Sequence, residues 1–97
     1  MPVLTDIGTL IVQTPGTCGG RPRMAGTRLT VHWVAIETRS GVTPQEIVEE
    51  RPYLNLAQVY AALAYYYANQ ESIDAEIAAD NAEYERLAAE YRSGSSQ

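Results

Sequence analysis

Three arginines lie close together in the first third of the chain, and their chemistry suits anionic oxygens. Arg21, Arg23 and Arg28 fall within eight residues that contain no acidic side chain. A guanidinium group presents N–H donors in a planar fork that matches the geometry of phosphate oxygens. The segment therefore predicts contact with nucleic-acid phosphates. A solvated hairpin with one or two salt bridges would explain the same residues equally well.

Two amides later in the chain could read bases. Asn55 and Gln58 lie where a helix is predicted to start, and amide side chains can pair with the edge of adenine. In a helix-turn-helix, the first turn of the recognition helix faces the bases. The same two residues also fit a capping box, whose role is purely structural. Both interpretations stay open, and the predicted DNA-binding residues are Arg21, Arg23, Arg28, Asn55 and Gln58.

Residues suited to catalysis are few. Cys18 and His32 are the chain's single cysteine and histidine, too few for a zinc site. The sequence contains no phosphate-binding glycine motif and no nucleophile motif. No carboxylate or nucleophile lies at a suggestive spacing from His32, which is therefore expected to be a packing residue rather than a general base. We predict that the protein is not an enzyme and has no catalytic residue, metal or cofactor.

Length and charge define the class of protein. A chain of 97 residues predicts a single domain, placed at residues 1–92. The net charge is −5, but residues 1–70 hold equal numbers of arginines and acids, so the whole excess follows Gln70. No segment has the apolar length to cross a membrane, and the N-terminus does not resemble a signal peptide. A lone cysteine suits a reducing compartment, so we expect a cytoplasmic protein without membrane contact.

Glycine and proline positions predict turns first and helices later. An apolar run at residues 10–12 could form a strand, and residues 23–31 are predicted to form a small hairpin that reverses at Gly26. Four helices are predicted. The first spans residues 31–38, and the second runs from the capping box of Thr43 to about Arg51. The third begins at the cap Asn55, and the fourth begins at the N-cap Ser72. The fold class is mainly α with a small N-terminal β-hairpin. Its parts are a helix-turn-helix core at residues 9–69, an acidic C-terminal helix at 71–92 and a disordered tail at 93–97.

The last predicted helix carries a repeating apolar pattern. Residues at alternating offsets of four and three form a seam that suits docking on another helix, within the chain or across a dimer. Consecutive tyrosines in the preceding helix point in different directions and are expected to serve the core and a dimer contact. The predicted dimer or partner interface comprises Tyr66, Tyr67, Ile73, Ile77, Tyr84, Leu87 and Tyr91, and Asp80 also falls in the seam.

Several separated motifs resemble one known family. Residues 19–31 read GGRPRMAGTRLTV and resemble the GGxPxIxGTRxxV signature of the domain-of-unknown-function 433 family, with Met24 replacing the usual isoleucine. The similarity continues through residues 41–47, 52–54 and 59–66 in the family's order and spacing. The resemblance implies a winged-helix-like or helix-turn-helix domain, usually dimeric. It also implies the antitoxin half of a bacterial type II toxin–antitoxin pair, often with a PIN-like ribonuclease toxin as partner.

Two functional hypotheses follow. In the first, the protein is an antitoxin. Residues 9–69 then form a dimeric DNA-binding unit that represses its own operon, and the acidic residues 71–92 cover a basic toxin surface. In the second, the protein is a homo-oligomeric interaction module that does not bind DNA. The second is favoured by the apolar seam and by small residues in the third helix, which suit close helix packing: Ala57, Ala61, Ala62 and Ala64.

Overall fold

Four helices follow a short N-terminal sheet. A computed structural model describes residues 7–95 of the chain. The strands are β1 (Ile11–Val12) and β2 (Arg23–Met24), and the helices are α1 (Val31–Arg39), α2 (Pro44–Glu50), α3 (Leu56–Ala68) and α4 (Gln70–Ser95). The predicted fold class, mainly helical with a small N-terminal hairpin, is confirmed.

The sheet differs from the predicted hairpin in its strand partner. β1 and β2 are antiparallel, with Ile11 opposite Met24. The predicted reversal also exists, because Gly26 has a φ of 76° and the N–H of Met24 donates to the carbonyl of Leu29 at 2.9 Å. The returning segment contributes only a single bridge, from Thr30 to Arg23, since α1 begins at the next residue. The strand that pairs with β2 is therefore β1, which comes from the apolar run at residues 10–12.

Capping residues fix where the helices begin. Thr43 and Glu46 form a complete capping box at the start of α2, with Pro44 as its first residue. Asn55 and Gln58 form a second complete box at the start of α3. Each box satisfies N–H groups that the helix leaves without partners. The predicted starts of both helices are confirmed.

The core lies around α3, which packs against α1, α2 and β2. α1 and α2 contribute apolar side chains at helical spacing, so each buries one face. Residues outside α1 and α2 also belong to the core, including Met24 of β2. The buried core residues are Met24, Val31, Val34, Ala35, Ile47, Leu54, Val59, Ala62, Tyr66, Ile73 and Ile77.

The predicted boundaries of α4 need two corrections. The helix begins at Gln70, with Asn69 between it and α3, so Ser72 is not an N-cap. Its hydroxyl instead donates to the carbonyl of Asn69 at 3.2 Å. At the other end α4 continues to Ser95, although residues 93–95 were expected in the tail. Residues 96–97 of that tail lie outside the described part of the chain.

α4 extends well beyond the rest of the fold. Twenty-six residues at about 1.5 Å each give a helix of about 39 Å. Ile73 and Ile77 are buried, whereas the later large apolar residues of α4 are exposed. The molecule is 67 Å long and 28 Å wide. We call residues 81–92 the arm and the folded residues before Gln70 the body. Among the described helices, none has the length and apolar character needed to span a bilayer.

Candidate functional site

Arg21, a predicted phosphate contact, binds a carboxylate of α4. Its two terminal nitrogens donate to the two oxygens of Asp80 at 2.7 and 3.1 Å. This forked geometry is the one that suits phosphate oxygens, so the carboxylate occupies the donors that a phosphate would use. Arg21 therefore connects the N-terminal loop to α4 in this structure.

Arg23 and Arg28 have different surroundings. The guanidinium of Arg23 donates to the carbonyl of Thr27 and to Oγ1 of Thr14, each at 3.0 Å. Its Nε is buried and has no hydrogen-bond partner among the described residues. Arg23 thus holds two turns of the N-terminal segment together, whereas Arg28 is exposed.

Asn55 and Gln58 use their amides inside the chain. Oδ1 of Asn55 accepts from the N–H of Gln58 at 2.9 Å, and Oε1 of Gln58 accepts from the N–H of Asn55 at 3.0 Å. Nε2 of Gln58 also donates to the carbonyl of Ala25 at 3.2 Å, which ties α3 to the turn after β2. The capping interpretation describes these contacts, and base contact stays a prediction.

Three acids of α4 pair with three cationic or titratable side chains of the body. Asp74 lies 3.4 Å from Arg39, Glu76 lies 3.1 Å from His32, and Asp80 lies 2.7 Å from Arg21. We call these pairs the ion-pair row. Asp74 and Glu76 lie on either side of the apolar stripe that includes Ile73 and Ile77, and Asp80 follows Ile77 in the seam itself. Polar contacts therefore flank and end the apolar ones where α4 meets the body.

A cavity of about 220 Å³ lies beside this row. The turn at Cys18–Gly20 contributes to one wall, and His32 and Glu76 also line the cavity. His32 is 3% exposed, which fits the packing role predicted for it, and its Nδ1 has no partner among the described residues. The carboxylate at His32 comes from 44 residues away, so no local spacing in the sequence could have indicated it.

The Arg21–Asp80 pair should make stability depend on pH. The hydrogen bond from Arg21 lowers the pKa of Asp80 below its ordinary 3.8. Because the pKa is lower in the folded state, the pair stabilises the fold above about pH 4, and this contribution disappears as pH falls through the folded pKa. The Asp80 side chain is 53% exposed, so Asp80→Asn should lower the free energy of unfolding by less than about 1 kcal/mol at pH 7.

Urea unfolding of both proteins at pH 7 and near pH 2.5, at low ionic strength, measures this contribution. The gap between wild type and Asp80→Asn should close at the lower pH. Glu85→Gln, which changes an exposed acid of the same helix outside the ion-pair row, is the matched control. A gap of equal size at both pH values would contradict the assignment.

The predicted interface residues separate into two groups. Tyr66, Ile73 and Ile77 are at most 3% exposed and belong to the core. By contrast, Tyr67, Tyr84, Leu87 and Tyr91 are all at least half exposed. The seam predicted from the repeat thus has two parts that meet at Asp80. The first part docks within the chain, and the second is uncovered in residues 7–95.

Polar side chains beside the exposed stripe interact along the arm itself. Arg86 binds Glu83 three residues earlier and Glu90 four residues later, the latter at 2.7 Å. Such spacings place side chains next to each other on a helix surface. The exposed part of α4 is therefore an amphipathic helix with its own ion pairs.

These features define a small, mainly helical domain with a two-stranded N-terminal sheet and a projecting amphipathic C-terminal helix. The family model described as "Protein of unknown function (DUF433)" matches residues 11–66. The chain therefore belongs to the DUF433 family.

A solved structure supports the assignment. The crystal structure of a DUF433 member protein from Anabaena variabilis ATCC 29413 is similar to this chain at 37% sequence identity and a TM-score of 0.68. The similarity covers 72% of this chain and 69% of that one. No match was found among curated proteins.

Proposed function

We propose that the protein is an antitoxin-type binding module, in which the body presents the arm to a basic protein partner. The observation that carries the proposal is the stripe on α4. Its first residues, Ile73 and Ile77, are buried on the body, whereas Tyr84, Leu87 and Tyr91 continue the same face uncovered. An apolar helix face of this kind fits a hydrophobic groove on another protein.

Charge supports a basic partner. Residues 71–97 carry the whole net charge of −5, of which −4 lies at residues 71–80 where α4 meets the body and −1 on the arm. The resulting field attracts a positively charged protein and accelerates its association. An RNA-cleaving toxin, the class that the family resemblance implies, needs positive charge to hold its substrate. The positive charge of such a protein would complement the acidic residues of α4.

Repression of its own operon stays a prediction with less support. Of the five residues predicted to bind DNA, four hold hydrogen-bond partners within the chain. Arg28 and Asn55 are the exposed members of the group. The geometry therefore favours protein interaction over DNA contact as the main activity.

Leu87→Glu should abolish or strongly weaken the complex. A charge in the middle of the apolar stripe should cost about 2 kcal/mol or more, or about 30-fold in affinity. The experiment co-expresses the full chain with the protein encoded by the adjacent gene, recovers the complex by affinity pull-down and measures its dissociation constant. Added salt should slow association, since basic and acidic surfaces attract less when screened.

Ala82→Glu is the matched control, because Ala82 is exposed and lies on the far side of α4 from the stripe. It introduces the same charge into the same helix and should leave binding intact. Absence of a complex with the wild-type chain would overturn the proposal. Equal binding by the Leu87→Glu and wild-type chains would overturn it as well.

A further inference from the structure

The ion-pair row holds more negative charge than the body balances. Its three acids face two arginines, Arg21 and Arg39, and one histidine. The hydrogen bond to Asp80 raises the pKa of Arg21 above its ordinary value, and the negative charges of Asp80 and Glu76 add to this effect. Arg21 therefore lies in a negative field, although its own charge is already paired with Asp80.

Glu76 is the acid of the row that lacks a permanently charged partner. Nε2 of His32 lies 3.1 Å from its Oε1, and a carboxylate can only accept, so Nε2 carries a proton in this contact. His32 is 3% exposed, and its Nδ1 is buried with no partner among the described residues. A second ring proton at Nδ1 would be a buried donor without an acceptor. The ring therefore gives Glu76 a hydrogen bond rather than a full positive charge.

The cavity beside the row presents mainly hydrogen-bond acceptors. Three uncharged polar side chains, those of Gln13, Asn69 and Ser72, line it together with His32 and Glu76. All three already donate to backbone carbonyls, at 3.3, 3.0 and 3.2 Å respectively. The oxygens of the two amides and of the hydroxyl keep lone pairs that can accept. With the carboxylate of Glu76, they suit a group that supplies N–H donors.

The size of the cavity restricts the ligand to a small group. A cavity of about 150 Å³ holds a molecule as small as benzene, whereas drug-sized ligands need about 300 Å³ or more. The volume here is about 220 Å³, which suits the end of one side chain. Pro22, Tyr65 and Ile73 supply carbon surface to the lining, which suits a short alkyl chain. An aromatic ring such as that of Tyr65 also attracts a cation.

We propose that this cavity binds a cationic nitrogen group on a short alkyl chain, either a primary ammonium or a guanidinium. Glu76 supplies the opposite charge, and the surrounding oxygens accept the N–H groups. An anion would instead meet the Glu76 carboxylate. Arg21 also lines the cavity, but its two terminal nitrogens both donate to Asp80 and are not available to an anion.

Titration of the full chain with n-butylammonium chloride at pH 7 tests the proposal. Backbone amide NMR signals of Gly19, Gly20 and Ile73, which line the cavity, should shift and saturate. We expect a dissociation constant of about 10 mM or lower for so small a probe. n-Butanol and sodium butyrate have alkyl chains of similar length without the positive charge and should not bind. Ionic strength is held constant with sodium chloride, because screening alone changes exposed ion pairs.

Glu76→Gln should weaken n-butylammonium binding by about 10-fold or more, because it removes the charge and keeps the length of the side chain. The Glu76 side chain is 50% exposed, so circular dichroism should show an intact fold. Ser72→Met adds bulk at the cavity wall without changing the charge, and it should weaken binding as well. Glu85→Gln, which removes an exposed acid of α4 away from the cavity, is the matched control and should bind as wild type does.

Three results would overturn the inference. The first is the absence of saturable shifts at about 0.1 M n-butylammonium, well above the expected dissociation constant. The second is equal affinity for n-butanol or butyrate. The third is a Glu76→Gln variant that binds n-butylammonium as tightly as the Glu85→Gln control.

A second titration identifies the source of the group, since a basic protein and a free amine share this chemistry. It uses the complex with the protein encoded by the adjacent gene. If a lysine or arginine of that protein fills the cavity, n-butylammonium no longer shifts the signals and Glu76→Gln weakens the complex. If the complex still binds n-butylammonium, the natural ligand is a free amine.

The inference and the proposed function fail separately. The first titration uses the chain alone, so absence of a complex with the adjacent-gene protein leaves its result unchanged. Leu87→Glu lies on the arm and should bind n-butylammonium as wild type does. Loss of n-butylammonium binding in Leu87→Glu would place the probe on the arm rather than in the cavity and would overturn the inference.

Discussion

Replacing Ile47 with alanine is expected to lower the free energy of unfolding by about 3 kcal/mol. Ile47 is fully buried and contributes the buried side chain of α2 to the core. The substitution removes apolar contact and leaves a cavity that the packed surroundings fill only in part. A small domain is stable by about 5 to 15 kcal/mol, so this is a large fraction of the total.

Urea unfolding followed by circular dichroism measures the change. The midpoint should fall while the slope stays constant, since the same surface is exposed on unfolding. Both proteins are measured at the same concentration, so that any self-association affects them equally. Ile36→Ala is the matched control: Ile36 is 43% exposed, and its loss should cost less than about 1 kcal/mol. Equal effects at the two positions would show that α2 is not packed as described.

Tyr66 should be the most sensitive position of α3. The residue is 3% exposed, and its hydroxyl donates to Oδ1 of Asp74 at 2.7 Å. Tyr66→Ala should therefore lower the free energy of unfolding by about 4 kcal/mol through loss of packing. Tyr66→Phe removes only the hydroxyl and should cost about 1 kcal/mol. The two variants separate the ring from the hydrogen bond that connects α3 to α4.

A pH series distinguishes that hydrogen bond from general packing. The bond to Asp74 raises the pKa of Tyr66 above its ordinary 10.0, and burial adds to the effect. A pKa that is higher in the folded state gives stability that is complete below about pH 10 and is lost as pH rises through the folded pKa. The advantage of wild type over Tyr66→Phe should therefore shrink as the pH rises above about 10. A constant difference across that range would contradict the bond.

Local chemistry made part of the fold predictable. The capping boxes at Thr43 and Asn55 depend on residues three positions apart, and the reversal at Gly26 depends on a single backbone conformation. Such signals act over a few residues and can be recognised without knowing the tertiary structure. Ser72 shows the limit of this reasoning, because Asn69 already interrupts the helices and leaves Ser72 inside the first turn of α4.

Long-range contacts could not be predicted in the same way. Arg21 and Asp80 are 59 residues apart, so neither reveals the other in the sequence. Arg21 therefore resembled a free phosphate ligand. The repeat on α4 correctly identified an apolar stripe, but periodicity does not show what packs against it. The division between buried Ile77 and exposed Tyr84 depends on where the body ends. The uncharged run after Arg51 was visible in the sequence and could have indicated that the exposed surface of α3 carries no charge.

The ion pairs of Arg86 affect how tightly the arm can bind, because they stabilise its helical conformation. An unsupported helix of this length is only marginally stable in water. Arg86 connects consecutive turns through Glu83 and Glu90, which favours the helical conformation before any partner arrives. Less conformational entropy then remains to be lost on association. In the proposed complex the arm is a preorganised ligand, so more of the contact energy is retained as affinity.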